Sequence, residues 1–131
     1  MNGVALLKRI AFGLFLAWMP AFPTWAQDVQ PGAAAYQRGD FSLALDQWRP
    51  MARNGDPEAQ YGLAVLYAKG QGVDKNPALA ITWYRKAALQ GHGAAQFNLG
   101  RIYGTGEGVA RDQGEATKWF RMAARQVSTA E

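Results

Sequence analysis

Residues 59–90 read AQYGLAVLYAKGQGVDKNPALAITWYRKAALQ, and residues 95–126 read AQFNLGRIYGTGEGVARDQGEATKWFRMAARQ. The two segments align without a gap at an offset of 36 residues, and 13 of their 32 positions are identical. Average composition gives about two such matches, so the offset marks an internal repeat. A period of this size is typical of stacked helical hairpins.

Apolar residues recur at helical spacing inside each repeat. Leu63 and Leu66 follow Ala59 at steps of four and three residues, and Tyr84 follows Ala80 at a step of four. This spacing places the apolar side chains on one face of an α-helix. Each repeat is therefore predicted to form two amphipathic helices joined as a hairpin.

Capping residues predict where several helices begin. Asn76 before Pro77 favours the start of the second helix in the first repeat. At the equivalent place in the second repeat, Asp112 and Glu115 predict a capping box, in which each side chain accepts from the backbone N–H of the other residue. His92 stands where the first helix of the second repeat begins, and we expect its side chain to be exposed there.

A third helical pair is predicted upstream of the two repeats. Ala44 and Gly55 lie 36 residues before an alanine and a glycine of the first repeat. The first helix of this pair should be short, over residues 32–38. Pro50 removes one backbone hydrogen bond from the second helix and should bend it or end it near Arg49.

The first 26 residues have the pattern of a secretory signal peptide. Lys8 and Arg9 precede an apolar run over residues 10–19, and the small residues Thr24 and Ala26 stand at the end. The run is short for a bilayer span, which takes about 20 residues. We expect cleavage after Ala26, a periplasmic or secreted location, and no stable membrane insertion after cleavage. The alternative is an uncleaved anchor in the inner membrane.

These patterns predict an all-α fold, an α/α superhelix (solenoid) of three helical hairpins. The predicted segments are a signal peptide over residues 1–26, an N-terminal helical pair over 27–56, the two repeats over 57–92 and 93–127, and a tail over 128–131.

Composition narrows the classes of function. The chain of 131 residues has no cysteine, which excludes disulfide frameworks, thiolate zinc sites and cysteine nucleophiles. Loss of Lys8 and Arg9 with the leader lowers the formal net charge from +4 to +2. No basic run interleaved with aromatic residues follows, so we expect no nucleic-acid partner.

The repeats resemble the Sel-one-like repeat family, whose pattern is A-x-x-x-L-G-x-x-Y, then G-x-G-V, then A-x-x-W-Y-x-x-A-A-x-x-G. The first repeat departs from the pattern at Ala64, which replaces the glycine after leucine, and the second at Val127, which replaces the final glycine. The upstream pair resembles a unit of the related tetratricopeptide repeats through Gly39, Asp40, Phe41, Ala44 and Trp48.

The resemblance implies a scaffold whose concave face, lined by the first helix of each pair, presents side chains to a protein or peptide partner. Positions on that face differ between the two repeats, as in a binding groove, although surface drift gives the same pattern. The partner-binding candidates are Tyr61, Val65, Lys69, Phe97, Arg101 and Thr105.

The end of the second repeat is predicted to expose an apolar patch. Phe120 and Ala124 occupy positions that a following repeat normally covers. Our hypothesis is that this end docks on a partner or on a second copy of the chain as a homo-oligomer. In the alternative, the tail folds back over the patch.

The sequence gives no catalytic constellation. His92 is the sole histidine, so neither a multi-histidine metal site nor a Ser-His-Asp triad has support. Glu107 and Glu115 form a nearby carboxylate pair, but their counterparts in the first repeat are Gln71 and Leu79. We therefore predict no enzyme activity, no catalytic residue, no metal and no cofactor. The alternative function is that of a cell-envelope protein that binds or hydrolyses peptidoglycan.

Overall fold

The computed structural model of the chain describes residues 31–129, which form six α-helices and no strand. Consecutive helices pack against each other as three hairpins, so the predicted all-α helical solenoid is confirmed. None of these six helices is long and apolar enough to cross a membrane. The predicted signal peptide lies outside the described residues. In chain order the helices are α1, Pro31–Gln37; α2, Phe41–Arg53; α3, Pro57–Lys69; α4, Pro77–Leu89; α5, Gly93–Thr105; and α6, Gln113–Ser128.

Side chains cap the first turn of helices α2 to α6. In each case the cap residue accepts a hydrogen bond from the backbone N–H three residues later, which satisfies a donor that has no partner within the helix. The caps predicted at Asn76 and Asp112 are among them. The acceptors are Asp40, Asp56, Asn76, Nδ1 of His92 and Asp112, at 3.2, 2.8, 3.1, 3.2 and 3.0 Å.

The capping box predicted at the start of α6 forms only by half. The Glu115 N–H donates to the Asp112 carboxylate, but the Glu115 carboxylate accepts from the Trp119 indole N–H at 3.1 Å. The Asp112 N–H donates instead to the Tyr103 carbonyl at 2.9 Å. The second half of the prediction is wrong because the partly buried indole N–H requires an acceptor and takes this carboxylate.

Pro50 was predicted to bend α2 or to end it near Arg49, and the second alternative is wrong, because the helix continues through Pro50 to Arg53. The turn after the proline still closes, since the Asn54 N–H donates to the Pro50 carbonyl at 3.1 Å. Ala52, which is 1% exposed, anchors this turn in the core. Burial of the last turn therefore outweighs the hydrogen bond that proline removes.

Two clusters of buried apolar side chains lie between the helices. One surrounds Trp48, which is 7% exposed, and joins α1, α2 and α3. The other surrounds Tyr84 and Trp119 and joins α3 to α6. Small side chains between the helices let their backbones approach closely. The buried alanines are Ala35, Ala44, Ala52, Ala59, Ala64, Ala80, Ala87, Ala88, Ala95 and Ala116.

Buried glutamines join each repeat to the pair before it. Gln60 of α3 donates its side-chain amide to the Ala52 carbonyl of α2 at 3.1 Å. Gln96 of α5 makes the same bond to the Ala88 carbonyl of α4 at 3.0 Å. Because a buried amide has lost its water, it needs this partner, and the bond fixes the register between successive hairpins.

His92 begins α5 as predicted, but the prediction that its side chain is exposed is wrong. The side chain is 11% exposed, and its ring stacks on the Tyr61 ring with the centroids 4.7 Å apart. Because Nδ1 accepts from the Ala95 N–H, the ring proton lies on Nε2, which donates to the Glu58 carboxylate at 3.0 Å. The histidine therefore links α5 to α3.

We expect His92→Ala to lower the free energy of unfolding by about 1–2 kcal/mol, because it removes the cap of α5 and the ring stacked on Tyr61. The measurement is urea denaturation followed by far-ultraviolet circular dichroism. His92→Asn is the matched control, since Asn76 makes the same cap on α4 and adds no charge beside Glu58, and it should lose less stability. An unchanged denaturation midpoint for His92→Ala would contradict the role of His92 as the cap of α5 and as a packing partner of Tyr61.

Two glycine substitutions should change stability in opposite directions. A Cβ at Gly62 would lie 2.5 Å from the Trp48 ring, so Gly62→Ala should destabilise the fold by about 1–3 kcal/mol. A Cβ at Gly104 would meet its nearest neighbour, the Ala116 Cβ, at 3.7 Å. Gly104→Ala should therefore stabilise α5 by about 0.5–1 kcal/mol through helix propensity. Equal changes in the free energy of unfolding for Gly62→Ala and Gly104→Ala, in the same denaturation assay, would rule out the packing explanation.

Candidate functional site

A groove of about 340 Å³ runs along the first helices of the three pairs. Helices α1, α3 and α5 form most of it, α4 contributes one tyrosine, and the loop after α5 contributes one glutamate. We call it the first-helix groove. Its lining residues are Tyr36, Tyr61, Val65, Ala68, Lys69, Tyr84, Asn98, Arg101 and Glu107.

The structure divides the six predicted partner-binding residues between different places. Phe97 lies on another face, where its ring meets the Phe120 ring edge-on with the centroids 5.4 Å apart. The Thr105 hydroxyl donates to the Arg101 carbonyl of its own helix at 3.0 Å. The four residues that line the first-helix groove together are Tyr61, Val65, Lys69 and Arg101.

Sequence reasoning missed the other five lining residues, which are Tyr36, Ala68, Tyr84, Asn98 and Glu107. The 36-residue offset pairs Tyr36 with Gly72, which lies in a loop, because the turn after α1 is shorter than the loops of the two repeats. Glu107 belongs to a loop that the repeat pattern treats only as a turn. The feature of the sequence that could have indicated Glu107 is its charge, which is opposite to that of Arg101, six residues earlier.

Two cations and one carboxylate determine the charge of the first-helix groove. The Lys69 ammonium donates to the Tyr36 hydroxyl at 3.3 Å, and the Arg101 guanidinium donates to the Glu107 carboxylate at 2.9 Å. The Arg101 and Glu107 side chains are 45% and 47% exposed. Water screens such a pair, and its net contribution is about 1 kcal/mol or less. An outside carboxylate can therefore compete for Arg101.

Tyr84 gives the groove a phenol that stays protonated. The residue is 3% exposed, and its ring centroid lies 5.8 Å from that of Tyr61. Burial raises the pKa of the Tyr84 phenol well above its ordinary range; Tyr61 adds to the rise, and Arg101 opposes it. The hydroxyl therefore remains neutral and able to donate a hydrogen bond at neutral pH.

A second groove, of about 690 Å³, lies between α5 and α6 at the end of the second repeat. Phe97, Phe120 and Val127 are 56%, 39% and 69% exposed. Ala124 of the predicted end patch also lies here, and the described part of the tail, up to Thr129, does not cover it. We call this surface the end groove. Its other lining residues are Gly93, Ala94, Ala123 and Gln126.

The two glutamates considered as a catalytic pair have separate partners. Glu107 pairs with Arg101, whereas Glu115 accepts from the Trp119 indole and lies 3.6 Å from the Lys118 ammonium. Among residues 31–129, no group of three or more histidine, aspartate or glutamate side chains is placed to hold a metal ion.

The sequence pattern of the Sel1 repeat matches residues 57–92 and 93–128, more than half of the chain. The chain belongs to the Sel1 repeat family. Proteins built from Sel1 repeats are generally non-catalytic and typically mediate protein–protein interactions. A comparison with curated proteins gave no match.

The solved structures that are similar to the chain include the following two. One is a Sel1 repeat protein from Oxalobacter formigenes, with 41% identity and a TM-score of 0.69 over 72% of this chain and 39% of that one. The other is c5321, a protective antigen present in uropathogenic Escherichia coli strains and displaying an SLR fold. It is 42% identical, with a TM-score of 0.68 over 74% of this chain and 22% of that one. The Sel1 chain thus spans about two fifths of the first solved chain and about one fifth of the second.

Proposed function

We propose that the chain is an exported Sel1 repeat scaffold that captures a segment of a partner protein in the first-helix groove. The observation that carries the proposal is the placement of Lys69 and Arg101 beside Tyr36 and Tyr61 on three successive first helices. The pattern of residues 1–26 supports export. None of the described contacts favours the alternative of peptidoglycan binding or hydrolysis.

The dimensions of the groove suit side chains of a polypeptide. Its volume of about 340 Å³ is near the lower end of the range for ligand pockets, enough for one or two side chains. Tyr61, Val65 and Ala68 offer an apolar wall against which an apolar or aromatic side chain can be buried. Tyrosines are frequent anchors at interfaces because a large ring is ordered at the cost of two torsions.

The charges of the groove favour an acidic residue in the partner segment. Lys69 and Arg101 outnumber Glu107, and the Arg101–Glu107 pair is exposed enough to exchange. A partner carboxylate bound to Arg101 makes a charge-assisted hydrogen bond, which is stronger than a neutral one. The proposed ligand is therefore an extended or helical segment in which an acidic residue stands next to an apolar one.

We expect Arg101→Glu to reduce partner capture at least tenfold, because it replaces attraction for a carboxylate with repulsion. The measurement is a crosslinking pull-down from the native envelope with the tagged chain, quantified by mass spectrometry. Arg121→Glu is the matched control, because it makes the same charge change at an exposed residue of α6 outside the groove. Equal capture by the Arg101→Glu and Arg121→Glu chains would place the binding site elsewhere.

Export predicts a defined mature chain. Cell fractionation should recover the protein from the periplasm or the medium, and intact-mass measurement should give an N-terminus at Gln27. Substitution of Ala26 by a bulky residue such as Trp should block this cleavage, whereas the same substitution at Gln37, an exposed residue of α1, should not. A full-length chain in the cytoplasm would contradict export, and a full-length chain in the membrane fraction would favour the uncleaved anchor.

A further inference from the structure

The end groove repeats a surface that is buried inside the stack. At the 36-residue offset, Phe97 and Phe120 correspond to Tyr61 and Tyr84. The rings of the phenylalanine pair lie 5.4 Å apart at 60°, and those of the tyrosine pair lie 5.8 Å apart at 55°. The end groove is therefore a second version of the face that α3 and α4 present to α5.

Helix α5 shows what covers this face in the interior. Gln96 near the start of α5 donates to the Ala88 carbonyl of α4 at 3.0 Å. With α5 in place, Tyr84 is only 3% exposed, whereas Phe120 at the equivalent position is 39% exposed. The end groove thus has the residues of a helix-binding face without the helix.

A buried side-chain amide oxygen next to the end groove also lacks a hydrogen-bond partner in the described part of the chain. In the first repeat, the Gln60 Oε1 accepts from the Gln90 side-chain amide at 2.8 Å. The Oε1 of Gln96, a residue that is 1% exposed, has no hydrogen-bond partner among residues 31–129. The equivalent donor, Gln126, lines the end groove and is exposed. A helix docked in the groove shields Gln126 from water and favours its bond to Gln96.

Helix α6 does not end at the position where α4 ends and the chain turns back into α5. After α4, Gly91 adopts a φ of +90° and the chain turns back into α5. Val127 stands at the equivalent position, and because a β-branched residue disfavours positive φ, α6 continues to Ser128. The Ala-Gln pairs near the starts of α3 and α5, Ala59–Gln60 and Ala95–Gln96, are already buried within the stack.

We propose that the end groove binds an amphipathic helix of another protein, in the position that α5 takes on α3 and α4. Ala95 and Leu99 of α5 are buried in the same cluster as Ala88, and Gln96 bonds to that residue. The partner helix therefore carries a small residue followed by glutamine, with leucine three residues after the glutamine. This continues the stacking interface that already joins the two repeats.

The incoming glutamine has a backbone acceptor in the end groove. The Ala124 carbonyl corresponds to that of Ala88, and it accepts from the exposed Ser128 hydroxyl at 3.3 Å. Water can accept from the Ser128 hydroxyl in place of the Ala124 carbonyl. The carbonyl can then accept from the buried amide of the incoming helix. The site is separate from the first-helix groove, and the proposal does not rest on the proposed function.

A synthetic peptide with the sequence of residues 92–105 tests the proposal. An isolated helix of this length is marginal in water, so a side-chain cross-link between its Phe97 and Arg101 positions should hold the helix. Both positions are exposed in α5, which leaves the docking side free. Fluorescence anisotropy with the full chain should show saturable binding. The Gln96→Ala peptide should bind about fivefold more weakly, because one hydrogen bond is lost.

Variants of the full chain locate the binding site. Phe120→Asp and Val127→Asp should each weaken peptide binding roughly tenfold or more, because each removes an apolar contact. Leu89→Asp is the matched control at a residue that is 70% exposed outside the end groove, and it should leave binding unchanged. Val127 lies on the surface of α6, so its variant keeps the test valid if Phe120→Asp does not fold.

Two outcomes would overturn the proposal. One is the absence of saturable binding, or peptide binding that Val127→Asp does not weaken. The other is light scattering in which the full chain forms dimers that Val127→Asp dissociates, since this would assign the end groove to a second copy of the chain.

Discussion

A hydrogen bond from a buried glutamine to a backbone carbonyl is the constraint on which the stacking of the hairpins depends. Gln60 and Gln96 make this bond at the two places where a repeat meets the pair before it. A shift by one residue leaves the amide buried without a partner, which costs about 1–3 kcal/mol. The surrounding alanines permit close approach in several registers, so the glutamine selects one. The bond thereby determines how the helices that carry Tyr61 and Phe97 lie against the preceding pair.

The sequence predicted those parts of the fold that depend on apolar spacing, and it failed where a polar side chain has a different partner from the one that the capping pattern indicates. The 36-residue offset and the apolar periodicity were enough for the helical hairpins. The exposure of His92 was wrong because Glu58 and Tyr61, which contact it, belong to the preceding repeat. The capping role of the Glu115 side chain was wrong because the Trp119 indole competes for it. For His92 the overlooked partners lie on another helix, whereas for Glu115 the competing partner is Trp119, four residues later on the same helix.

The residues of the candidate site could be predicted from the sequence only in part. Four of the six residues expected in one groove do lie together, because equivalent positions on α3 and α5 share a face. Phe97 separates from Tyr61, although the repeat makes them equivalent, because the His92 ring at the start of α5 stacks on Tyr61, whereas Phe97 is 56% exposed. Repeat periodicity gives the orientation of a side chain within its own pair. It does not say what packs on top of that pair.

Helix α5 connects the two grooves, since Arg101 lies one helical turn after Phe97. Contacts to Arg101 weaken as salt rises, whereas apolar contacts to Phe97 do not, so salt separates ligands of the two grooves. The stability of a repeat stack is approximately the sum of the stabilities of its units and of their interfaces. Among residues 31–129, the pair α5–α6 packs against a neighbouring pair on one side only. A helix bound in the end groove adds the second interface, and it therefore stabilises the helix that holds Arg101 in the first-helix groove.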